Sequence, residues 1–338
     1  MYIVQSYPFA VFLIVITMIC WGSWANTQKL ASKEWSFPLF YWDYAIGVML
    51  FSLILGLTLG SSGEQGQGFI ANLQQASNEV IISALIAGII FNIANLLLVA
   101  AIDIAGMAVA FPVAIGLALV LGVVDNYIKR PLGDPIFIFA GVILVTIAIV
   151  INAISYKRLQ SNQSDEAKKG VGKGLGISIA AGILMGFFYG FIAKTLPENF
   201  AEPSTGLLTP YSAVFIFSLG VLFSNFFFNS FFMYKPISGG EPVSYGDYIK
   251  KGTPKLHLIG ILGGFIWCTG LSLNIIASGS AGPAISYGLG QGATMVAAAW
   301  GVFVWKEFAD APQGTNKLIT LMFISFIVGL SLIIFAKG

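Results

Sequence analysis

Asp43, between Phe40 and Tyr44, is the one carboxylate set well inside an apolar stretch. A carboxylate there is costly in lipid, and its two charge states differ so strongly in solvation that it suits the uptake and release of a proton. The alternative is a hydrated residue near the membrane interface, or a pair with Lys29 or Lys33. Asn92 and Asn95 stand at i, i+3, so both project from one face of a helix and can hydrogen-bond a hydroxylated or amide-bearing solute. Packing between helices is their other use, worth about 0.6 kcal/mol per hydrogen bond. Trp21 and Trp24 share the same spacing, and Trp267 precedes Asn274 by two helical turns. An indole face stacks on the C–H face of a sugar or on a heterocycle equally well. Tyr287 and Gln291, at i, i+4 among Gly288, Gly290 and Gly292, and Tyr189 beside Gly190 complete the candidates. Glycines at such places permit close helix contact or local unwinding where a solute passes.

Enzyme chemistry finds no footing. No His-Glu-x-x-His, Gly-x-Ser-x-Gly or Walker loop occurs, and the single histidine, His257, falls at a span end where a hydrated interfacial role is expected. The two cysteines, Cys20 and Cys268, fit neither a disulfide framework nor a metal spacing. No enzyme activity, cofactor or metal is expected.

The elements that must position these residues are membrane helices. With 57% hydrophobic and only 9% charged residues, the chain is an integral membrane protein with no room for a soluble domain. Apolar helices are expected at about 8–28, 37–60, 78–102, 105–125, 133–154, 173–194, 208–233, 256–278, 281–304 and 316–336, the first of them a retained helix, not a signal peptide. The polar segment 156–172 reads as a linker between a five-helix half at 1–155 and a second at 173–338.

Residues 87–131 overlay 263–307 without a gap, pairing Gly88 with Gly264, Ala105 with Ala281, Gly106 with Gly282 and Gly116 with Gly292. The shared residues are packing positions, whereas the polar candidates meet mismatches: Asn92 meets Cys268, and Leu98 meets Asn274. Thirteen basic residues fall on the side of the linker, and only Lys129, Arg130, Lys194 and Lys337 on the side of the termini. Short positive loops resist translocation, so the linker is expected in the cytoplasm and both termini outside a cell (inner) membrane. Five spans per half then set the two repeats upside down relative to each other, the arrangement that exposes one midplane site to either side in turn. The net charge of +2 reports topology and predicts no nucleic-acid partner.

Trp21 to Trp24, Asp43-Tyr44, Asn92, Asn95, Gly263 to Trp267 and Trp305 to Phe308 together resemble the drug/metabolite transporter superfamily over the full length. The resembling branch holds glucose/ribose permeases, the L-rhamnose/proton symporter and the ureide permeases. The resemblance implies proton-linked uptake of a small polar solute. The expected function is therefore secondary active uptake of a monosaccharide such as rhamnose, glucose or ribose, with Asp43 handling the proton. Trp21, Trp24, Asn92, Asn95, Tyr189, Trp267, Asn274, Tyr287 and Gln291 would line the cavity. A ureide, nucleobase or nucleoside permease is the alternative within the class; an intramembrane enzyme or a non-transporting sensor is the alternative outside it.

Overall fold

The computed structural model describes residues 1–32, 34–159, 171–202, 204–237 and 241–337, so Lys33 and residues 160–170 of the expected linker lie outside the described residues. Its elements are helices α1 (Tyr7–Ser23), α2 (Ala25–Ala31), α3 (Phe37–Leu57), α4 (Phe69–Gln75), α5 (Asn78–Ala105), α6 (Met107–Lys129), α7 (Pro135–Leu159) and α8 (Val171–Ala193). They continue with α9 (Pro210–Asn225), α10 (Phe228–Tyr234), α11 (Tyr245–Lys251), α12 (Pro254–Ala281), α13 (Pro283–Gly290), α14 (Ala293–Ala299) and α15 (Thr315–Phe335). Among the described residues nine helical segments are long and apolar enough to cross a membrane. The chain is an integral, multi-pass membrane protein. Helices prevail because lipid offers no partner for backbone N–H and C=O groups, which must be satisfied within the segment. Proline opens α7, α9, α12 and α13, where its missing N–H costs nothing.

The expected span at 281–304 is not one helix. It divides into α13, α14 and a wide π-helical turn, Trp300–Val304, with Gln291 and Gly292 at the first break. Gly288, Gly290 and Gly292 explain the break, since each glycine costs a helix roughly 1 kcal/mol relative to alanine. The first expected span is also interrupted, at Trp24, between α1 and α2.

The described residues form two compact units, each drawing on both halves of the chain. One unit comprises Met1–Asn92 and Phe188–Ala281. In it α3 packs on α12 through Gly47 and Gly264, and α5 packs on α9 through Gly88 and Gly220. A Cβ at Gly264 would sit 2.7 Å from the Val48 nitrogen and 2.9 Å from the Gly47 Cα. A Cβ at Gly88 would sit 2.9 Å from the Val221 nitrogen and 3.0 Å from the Gly220 Cα. Both seams bring backbones together where no side chain fits.

The other unit comprises Ile93–Phe187 and Gly282–Gly338. Here α7 packs on α15 through Gly141 and Gly329. Gly106 (φ 78°) and Gly282 (φ 88°) precede α6 and α13 in conformations that side chains rarely adopt. Gly282 lies beside Leu132 near the start of α7, and Gly314 lies beside Arg158 near its end. The broken segment between them therefore runs the length of α7.

Candidate functional site

Trp267, two turns into α12 from Gly260, is the centre of an aromatic cluster in the first unit. Its ring stacks on Trp21 (centroids 6.2 Å apart, 17° between planes) and on Phe217 (6.0 Å, 18°), and packs 4.3 Å from Phe91. Tyr44 lies 6.2 Å from Trp267 and 4.9 Å from Trp24. The interruption of the helix at Trp24 matters here, because it presents Trp21 and Trp24 to α12 and α3 respectively. Trp21 is anchored by its indole N–H, which donates to the Trp267 carbonyl at 3.2 Å.

Two buried polar groups of this unit are left with an atom unpartnered. Asn92, next to Phe91, is fully buried and donates from Nδ2 to Ser224 Oγ at 2.8 Å, while its Oδ1 has no hydrogen-bond partner. The Tyr44 hydroxyl is likewise buried without a partner. Leaving such a group unsatisfied costs about 1–3 kcal/mol, which a bound solute reaching it would offset. Asn274 and Tyr189 are fully buried as well, and the Tyr189 hydroxyl donates to Asn274 Oδ1 at 2.7 Å. Asn225 and Asn229 donate to the carbonyls of Tyr41 and Pro38, again with Oδ1 unpartnered.

Asp43 sits at the end of this unit opposite the N-terminus, whose Tyr2 N–H bonds the Leu59 carbonyl beyond the far end of α3. Only 1% of it is exposed. Its carboxylate accepts from Trp35 Nε1 at 3.3 Å and from the Tyr248 hydroxyl, and meets His257 Nδ1 at 2.9 and 3.0 Å. This corrects two expectations. Asp43 is buried, not hydrated, and pairs with His257, which is more than a hydrated interfacial residue.

The Gly260 backbone explains the fit, since a Cβ there would collide with Asp43 Cβ. Tyr248 belongs to α11, which Ser244 and Asp247 cap reciprocally. Burial and the Asp43 carboxylate raise the pKa of its phenol, whereas bonds from Lys251 and Ser244 lower that of Asp247. His257, Tyr248 and Trp35 were missed in the sequence because they lie on three separate segments, two of them more than two hundred residues from Asp43.

Asn95, Tyr287 and Gln291 lie in the second unit. Tyr287 is fully buried against Gly122, and its hydroxyl donates to the carbonyls of Ala118 (3.3 Å) and Met185 (3.0 Å). These bonds make Tyr287 a clamp between α13, α6 and α8. Gln291 stands at the helix break with its carbonyl taken by Thr294 Oγ1 at 2.9 Å. Asn95 is buried in α5.

A family model described as Ureide permease matches residues 40–173 and 168–336. Ureide permease 1 of Arabidopsis thaliana is 24% identical over 392 residues, spanning 100% of this chain and 99% of that protein. Ureide permease 2 and Ureide permease 4 of the same plant are each 22% identical, again spanning 100% of this chain and 99% of their own. A solved crystal structure covers 97% of this chain and 99% of that one at a TM-score of 0.57 and 15% identity, a likeness of fold alone.

Proposed function

We infer, from the premise that this chain belongs to the ureide permease family and is a membrane transporter and not an enzyme, that it takes up a planar, amide-rich solute together with a proton. A ureide or an oxo derivative of a purine fits that description. The observation that carries the substrate class is the pair of buried, unpartnered polar atoms of the first unit, Asn92 Oδ1 and the Tyr44 hydroxyl, in the unit that holds the Trp267 ring. A planar amide takes the place of one of the rings stacked on the indole while its N–H donates to Asn92 and its C=O accepts from Tyr44. A monosaccharide can stack on the same ring, but the matched relatives carry the ureide name. The sugar expected from the resemblance thus becomes the competing substrate.

Alternating access between two inverted five-helix halves, 1–155 and 173–338, is the mechanism we propose. The two glycine seams support it. Gly88 and Gly264 are partners in the sequence overlay, and each buries its missing Cβ against a glycine of the preceding long span of the opposite half, Gly220 or Gly47. The positive-φ glycines Gly106 and Gly282 are overlay partners too. Asp43 is proposed to carry the coupled proton, with the linker in the cytoplasm of a cell (inner) membrane and both termini outside.

Proteoliposomes given an inward proton gradient and labelled allantoin, uracil or L-rhamnose test this reading. Gradient-dependent accumulation of allantoin or uracil, abolished by a protonophore, is the expected result. Accumulation of rhamnose alone would overturn the substrate class; accumulation indifferent to the gradient would remove the proton.

A further inference from the structure

The Asp43 carboxylate bonds Trp35, Tyr248 and His257, all outside its own helix, yet its side chain is only 2% exposed. A buried group of this kind cannot exchange a proton with water by itself. The titratable groups facing it are Tyr248 from α11 and His257 from α12; the preceding turn supplies Trp35. Among the described residues, α9 and α10 present Asn225, Asn229 and Met233 to this end of α3, and α2 presents Thr27 to Gly263. Asp247, beside Tyr248, is engaged with Ser244 and with Lys251 at 2.8 Å.

Of the three donors, an indole does not titrate, and a phenol beside a carboxylate holds its proton. The imidazole differs. Its side chain is 28% exposed against 2% for Asp43, and Nδ1 touches the carboxylate, so the ring is the accessible member of the pair. Its Nε2 edge lies against Gly252, where a Cβ would collide with the ring.

We propose that His257 is the relay through which Asp43 exchanges its proton with water, so that the coupled proton belongs to an Asp43–His257 pair. This rests on the reading of Asp43 as the proton carrier. Loading starts with a neutral ring carrying its proton on Nδ1. Nε2 takes a proton from hydronium, the Nδ1 proton passes to the carboxylate, and the ring is left neutral with its proton on Nε2. Unloading reverses these steps, and charge balances throughout, with one hydronium consumed and one carboxylate neutralised.

His257 is the only histidine of the chain, so ¹⁵N-histidine labelling reports on it alone. In lipid nanodiscs Asp43→Asn should move the Nδ1 resonance; an unmoved resonance would overturn the pair. In proteoliposomes with labelled allantoin, uracil and L-rhamnose, His257→Gln should lower gradient-driven accumulation about tenfold or more, while counterflow exchange at equal pH stays within about twofold of the parent. External imidazole should restore gradient-driven uptake to His257→Gly, which a purely structural loss would not allow. A parent protein that ignores the gradient, or an Asp43→Asn variant that accumulates normally, removes the proton-carrier reading and the relay with it. Loss in Asp43→Asn beside normal accumulation and pH profile in His257→Gln overturns the relay alone.

Discussion

Asn92 donates one end of its amide to Ser224 and leaves the other without a partner. Replacing it by alanine removes one neutral hydrogen bond together with one unsatisfied acceptor, so the folded protein should lose no more than about 1 kcal/mol. A solute that uses the acceptor should bind about tenfold more weakly, the equivalent of roughly 1.4 kcal/mol. Asn92→Ala is therefore expected to raise KM for uptake with little change in Tm, as transport kinetics and thermal unfolding in detergent would show. Tyr287 predicts the opposite split. Its hydroxyl already shares its proton between two carbonyls, so Tyr287→Phe should cost about 1 kcal/mol of stability through the lost hydrogen bond and leave KM unchanged. The sequence treats these two residues alike, as polar groups within apolar runs. What separates them is which atoms find partners on distant helices, and no spacing rule encodes that. Asp43 was legible because a carboxylate in an apolar run is rare; His257 was not, because a histidine at a span end is ordinary until a partner 214 residues away is known.

At the scale of elements, glycine does two unlike jobs. Gly88 and Gly264 mark backbone-to-backbone seams, so alanine at either must push carbonyl and amide atoms that have nowhere to go. The expected loss is about 1–3 kcal/mol for each, seen as a lower Tm. Gly116 is the contrast, since a Cβ there meets nothing within 4 Å. Gly116→Ala should leave stability unchanged or raise it by roughly 0.5–1 kcal/mol, because alanine is the better helix former. A Gly116→Ala variant that unfolds as early as Gly88→Ala would refute the distinction. The overlay of 87–131 on 263–307 picks out all three positions as shared small residues and cannot rank them. Most span boundaries, by contrast, were legible from apolar run length alone. The break at Gln291 was only half legible: the glycines advertise permission to unwind, and whether the helix uses it depends on packing against α6.

For the whole molecule, the number of crossings decides which face each terminus occupies. Nine long spans alone would put the termini on opposite sides. The ten spans proposed above would put them on one. Leu59 is bonded by Tyr2, so the segment after α3 shares a face with the N-terminus. In that reading α5 and α6 bring the chain back to that face at Asp134, whose N–H bonds the carbonyl of Ala336 at 2.6 Å. The proposal then places the C-terminus there too, with the broken segment between Gly282 and Gly314 as the tenth crossing. The lysine distribution adds the sign, since positive loops stay inside. In intact cells, a charged thiol reagent should label Ser61→Cys and Lys337→Cys, and should reach Lys250→Cys only after permeabilisation. The native Cys20 and Cys268 lie within spans and give little background. Labelling of Ser61→Cys with protection of Lys337→Cys would mean that the broken segment does not cross. Labelling of Lys250→Cys alone would leave the ten crossings intact and reverse the orientation, placing the Asp43–His257 pair at the outer face, where an inward proton gradient loads it first.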